Sequence, residues 1–159
     1  MANSSYFNDQ FRSLLSAVGY LGVLPFYAFM LLTWFGSSIG YDGFEPIWLF
    51  RFYAISILAF MTGTLWSIAF AVQPENETFE FKPAGLIFGS VFVVLAGFGL
   101  LIPEPKVGVF VTALLFLVLW QIELKTNLAR LYPEWYWVLR TKLTMAVALA
   151  HILLWLTLG

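Results

Sequence analysis

The chain has 159 residues, 61% of them hydrophobic, 19% aromatic and only 11% charged, with a net charge of −1. Soluble domains carry roughly 25% charged residues and nucleic-acid-binding surfaces need a basic block, so the composition argues against both classes. Cysteine is absent, which removes disulfides, thiolate metal centres, iron–sulfur clusters and cysteine nucleophiles.

The first residues, "MANSSYFNDQFRSLLSAVGYLG", place Asp9 ahead of Arg12 and show neither a positive leader nor a small-residue cleavage site. They are expected to be retained. Apolar runs then follow at 14–35, 47–72, 84–102, 107–124 and 139–158, most of them close to the ~20 residues that cross a bilayer as helix. Unpaired backbone is too costly in hydrocarbon, and no alternating barrel pattern is present, so every run is predicted to be helical. The expected fold is an all-α integral membrane protein: one domain over 1–159, a bundle of five transmembrane helices, with an interfacial connection at 125–138.

In the first run Ser16, Gly19 and Gly22 precede Pro25, which predicts a kink. The second begins around Arg51, between Trp48 and Tyr53. The long arginine stem favours snorkelling outward, with Asp42 or Glu45 as alternative partners. Farther along, Ser56, Gly63 and Ser67 form a stripe of small residues. An acidic loop, "QPENETFEFKP", leads into the third run, where Gly85, Gly89 and Gly97 share one face. Gly63, Gly85, Gly89 and Gly97 are candidate helix-packing positions, within the bundle or between copies.

The four residues "PEPK" make a hairpin into the fourth run, and Glu123 at its far end is read as interfacial. Leu124, Leu128 and Leu131 then lie opposite Lys125 and Arg130, continuing the helix along the membrane surface until Pro133. Next comes "RLYPEWYWVLRTKLT". Arg130, Trp135, Tyr136, Trp137, Arg140 and Lys142 are expected at headgroup depth, as an aromatic and basic belt and a candidate docking surface.

Counted over the loops, Arg12, Lys82, Lys125, Arg130, Arg140 and Lys142 fall on one side, against Arg51 and Lys106 on the other. Positive residues accumulate in cytoplasmic loops, so the N-terminus is expected in the cytoplasm and the C-terminus on the outer, periplasmic side.

The sole histidine, His151, lies in the last run on a stripe with Thr141, Thr144, Ala148 and Trp155. Three readings are open: a neutral imidazole bonded to a neighbouring helix, a proton or quinone-type role, or an axial haem ligand opposite Met30, Met61 or Met145. There is no phosphate-binding glycine loop, zinc spacing, serine–histidine–acid set or carboxylate pair. No catalytic residue, cofactor or metal is therefore predicted. Arg51 and His151 remain as candidate polar groups within the membrane.

Three stretches, "GYLGVLPF" (19–26), "YAISILAFMTGTLW" (53–66) and "PEWYWVLRTKLT" (133–144), together resemble domain-of-unknown-function family 3429. The resemblance implies a small, multi-pass bacterial inner-membrane protein, similar to mitochondrial transmembrane protein 69, without an assigned activity. In that family a histidine usually stands where this chain has Leu65, so chemistry requiring it is not supplied here. The functional expectation is an accessory, assembly or structural subunit of a larger membrane complex. Its partners would be membrane lipids and other subunits or further copies of itself, with no nucleic acid. Alternatives are a small transporter or channel with a polar seam including Arg51 and His151, and an enzyme acting on a lipid or quinone.

Overall fold

The computed structural model describes residues 3–39, 45–71, 91–92, 95–99, 101–125 and 132–158, with side chains from 9–36, 45–63 and the later stretches. It contains four long helices: α1 (Asn3–Ile39), α2 (Pro46–Ala71), α3 (Pro105–Lys125) and α4 (Glu134–Thr157). Residues 91–92 and 95–99 are helical too, and no strand occurs among the described residues. The four long helices are each long and apolar enough to cross a membrane. The remainder of the run at 84–102, including Gly85 and Gly89, lies outside the described residues, as do Arg130, Asp42 and the side chain of Leu65.

Proline sets where three helices begin. Pro46 and Pro105 open α2 and α3, where a fixed φ suits the first turn and the missing N–H would have had no partner. Pro133 precedes α4 with φ −55° and ψ 141°, and its carbonyl accepts from the Tyr136 and Trp137 amides at 2.9 and 3.1 Å. The helix therefore starts at Glu134 rather than at 139. The aromatic triplet 135–137 is its first turn, not part of a connecting loop. Glu134 there complements the positive end of the helix dipole. In α1, which continues through Pro25, Ser16 and Thr33 donate to the carbonyls of Arg12 and Phe29. Such back-bonding lets a hydroxyl lie in an apolar setting without water.

The helices close into a ring in which α1 packs on α2 and α4, and α3 packs on the same two. The Tyr53 hydroxyl donates to the Gly22 carbonyl at 2.7 Å, and Gly36 abuts Pro46, so α1 and α2 are antiparallel. Arg12 lies over Trp135 at one end, and Trp34 Nε1 donates to Thr157 Oγ1 at the other, so α1 and α4 are parallel. Arg51 meets Gly108, whereas Met61 meets the Arg140 that binds Glu123, so α2 and α3 also run in one direction. The chain thus leaves α2 at one end of the bundle and enters α3 at the other.

Apolar packing fills the centre. Phe26 makes edge-to-face contacts with Phe50, Phe116 and Tyr53, at centroid separations of 5.5, 6.1 and 5.0 Å. Phe92 and Ala96 are buried while Val91, Leu95 and Phe98 are exposed, so the 91–99 segment turns one helical face onto the bundle. Outward the surface is bare hydrocarbon, with Phe60 72% and Leu101 71% exposed. Such a surface suits lipid and not water.

Among the described residues the tightest glycine contacts are at Gly19 and Gly108, which were not among the four expected. A Cβ on Gly19 would lie 2.8 Å from Leu143 Cδ1, and one on Gly108 2.7–2.8 Å from the Arg51 guanidinium. Gly63 and Gly97 are exposed, and no described atom lies within 4 Å of a Cβ built on either. Neither one packs against another of the described residues.

Candidate functional site

Three groups of polar side chains are buried at successive levels between the helices. Each is bordered by one face of α3, where Gly108, Thr112, Phe116, Leu119 and Glu123 recur at spacings of three and four and are all buried. That face meets α2 at its start and α4 throughout.

At the level of the first turns of α4, Arg140 and Glu123 form a two-pronged ion pair. Arg140 Nη2 donates to Glu123 Oε1 at 2.6 Å, and Nε donates to Oε2 at 3.2 Å. Glu123 has no exposed surface and Arg140 retains 8%. The planar guanidinium matches both carboxylate oxygens, which an ammonium could not do. The remaining Nη1 donates to Met61 Sδ at 3.3 Å and Thr144 Oγ1 at 3.4 Å. One side chain thereby ties α2, α3 and α4 together. Both residues were expected at the membrane surface. They point inward because the apolar face of α3 continues through Glu123, and a buried carboxylate requires a cation that only Arg140 provides.

His151 occupies the middle level, fully buried. Each of the other three long helices presents a phenylalanine to its ring: Phe26, Phe50 and Phe116, at centroid distances of 5.5, 4.7 and 5.5 Å. Nδ1 lies 2.8 Å from the Val147 carbonyl. A carbonyl only accepts, so Nδ1 carries the hydrogen, and in the neutral ring Nε2 is left as an acceptor. Among the described residues nothing donates to Nε2. The expected bond to a neighbouring helix is replaced by one within α4.

Arg51 occupies the opposite end. Its side chain was expected to snorkel outward, but it is only 1% exposed. Nη2 donates to the carbonyls of Gly99 and Ile102 at 2.9 and 2.7 Å, and the guanidinium lies over the Trp48 ring at 4.6 Å. The Gly99 carbonyl ends the 95–99 helix at its negative dipole end and also accepts from the Ile102 amide at 3.4 Å. The two carbonyls solvate the cation in place of a carboxylate. Gly108 leaves the space that the guanidinium fills.

The aromatic belt surrounds the Arg140 end. Trp135, Tyr136 and Trp137 are half-buried and Lys142 is exposed. Trp120 Nε1 donates to Thr141 Oγ1 at 3.2 Å and its ring lies parallel to Trp137. Among the described residues no group of three histidine or acidic side chains is placed to hold a metal ion. Gly108 and the Glu123–Arg140 pair were missed from sequence. The signal that could have found them is the spacing 108–112–116–119–123, which carries both onto the buried face.

A family model described as "Protein of unknown function (DUF3429)" matches residues 12–156. No match was found among curated proteins or among solved structures.

Proposed function

The chain belongs to the family DUF3429, whose function is unknown, and we propose that it is an accessory, assembly or structural subunit of a larger complex in the bacterial inner membrane. The observation that carries this reading is the use made of the buried charges. Arg140 with Glu123 rivets three helices, and Arg51 rivets α2 to the carbonyls of Gly99 and Ile102. Charges held this way rigidify a scaffold, while the exposed apolar surface, with Gly63 and Gly97 uncovered by any described residue, is available to other membrane proteins.

The proposed topology has five spans, an N-terminus in the cytoplasm and a C-terminus outside. Support for a crossing between α2 and α3 comes from their parallel direction, since residues 72–104 connect opposite ends of the bundle. Support for the orientation comes from Arg12, Lys125, Arg140 and Lys142 at one end against Arg51 and Lys106 at the other.

Extraction from native membranes in mild detergent tests the proposed role. A larger partner in stoichiometric amount is the expected result. A protein that emerges alone at every detergent concentration would sink the subunit reading. One observation favours a second reading, a transporter or channel: the buried His151 Nε2 acceptor with no described donor. Reconstituted vesicles whose ion or proton flux is the same with and without His151→Leu would remove it.

A further inference from the structure

At the end of the bundle that holds the start of α1 and α4, one cation stands over an indole and a second follows that indole two turns along α4. The guanidinium carbon of Arg12 is 5.7 Å from the centroid of the Trp135 ring. Lys142 follows Trp135 by seven residues, two turns along the same face of α4, and long helical side chains lean toward the N-terminus, here toward that ring. Both Arg12 and Lys142 are exposed. Neither has an ion-pair partner among the described residues, although Asp9 and Glu134 are exposed at the same end.

Lys142 is the sole charge on an exposed α4 stripe that otherwise reads Val138, Met145, Leu149 and Ile152. An ammonium on such a lipid-facing stripe has to reach the headgroup layer or meet an anion there. Trp135 marks that layer, because indole rings settle at the boundary between headgroups and hydrocarbon.

We infer that the α1–α4 groove at Arg12, Trp135 and Lys142 binds the phosphate of an anionic phospholipid, with its acyl chains along the exposed α4 stripe at Met145 and Leu149. The guanidinium fork takes two phosphate oxygens, the ammonium supplies a point charge, and Trp135 holds the guanidinium by cation–π contact while bordering the glycerol level. A zwitterionic headgroup brings its own cation into competition with both side chains, so the groove selects net negative lipid. This inference rests on the chain spanning a membrane, and not on its serving as a subunit.

The test is native mass spectrometry of the full chain in mild detergent, titrated separately with phosphatidylglycerol, phosphatidylcholine and inorganic phosphate. Wild type should retain one phosphatidylglycerol in preference to phosphatidylcholine. Arg12→Gln and Lys142→Gln should each weaken it about fivefold, and the pair together more. Arg12→Lys with Lys142→Arg should restore most of the binding. Lys125→Gln, an exposed cation at the same end on α3, should leave it unchanged. Equal retention of the two lipids, or an unaltered double variant, would overturn the site. Displacement of the lipid by millimolar inorganic phosphate would assign the groove to a soluble anion and overturn the lipid form. A chain that fails to sediment with membranes at all would instead remove the membrane reading beneath it.

Discussion

Arg140 Nη2 and Glu123 Oε1 lie 2.6 Å apart inside the bundle, on adjacent antiparallel helices and almost wholly out of contact with the surroundings. Removing either partner strands the other charge, so Glu123→Ala or Arg140→Ala should each cost about 3–5 kcal/mol. Reversible denaturant unfolding in bicelles measures this. The apolar pair Glu123→Leu with Arg140→Met should recover most of the loss, because an ion pair barely offsets its own desolvation. A double variant as unstable as either single one would mean that the contacts to Met61 and Thr144 dominate instead.

Gly108 and Arg51 should be coupled. Gly108→Ala puts a methyl where the guanidinium lies, at a cost of about 1–3 kcal/mol. In an Arg51→Met background that cost should shrink to a few tenths, since the methionine tip can move aside. An unchanged cost in both backgrounds would locate the clash elsewhere.

His151 separates packing from polarity. His151→Ala leaves a hole among three phenylalanines and should cost about 2–4 kcal/mol. His151→Leu keeps the volume and removes an Nε2 that has no partner among the described residues, so its stability should match or exceed wild type. If His151→Leu is also fully stable but alters ion flux or growth, the imidazole is used for function.

Gly63 and Gly97 are exposed, with no described atom within 4 Å of a Cβ built on either. Leucine at either position should leave the unfolding free energy within about 0.5 kcal/mol while reducing co-purification of a partner. A large loss of stability in the isolated chain would show that they pack within it after all.

Topology is directly accessible because the native chain lacks cysteine. Single cysteines replacing Lys125 and Lys106 should label from opposite faces of intact inner-membrane vesicles. Labelling of both from one face would sink the five-span arrangement.

Much of the architecture was legible from composition alone. The backbone has few ways of satisfying its hydrogen bonds in hydrocarbon, so apolar runs of the right length become helices whatever their neighbours. Pro46 and Pro105 open α2 and α3 for an equally local reason, whereas Pro133 in sequence marked only the end of the helix before it. The belt at 135–137 was recognisable as aromatic, but not as the first turn of α4, because that depended on how Pro133 presents its carbonyl.

Length, polarity and the all-helical, membrane-compatible character of the chain were thus determined by the sequence itself, through the cost of exposing peptide groups to lipid. The direction in which each charge points was decided by the tertiary structure alone. Arg51, Glu123 and Arg140 all sit near helix ends, where a stem can reach outward or inward at similar cost. The choice depends on what the facing helix offers: carbonyls at Gly99 and Ile102 for one arginine, and for the other a carboxylate brought to it by the packing of α3 on α4. Those partners are distant along the chain, and they meet only once the bundle has closed.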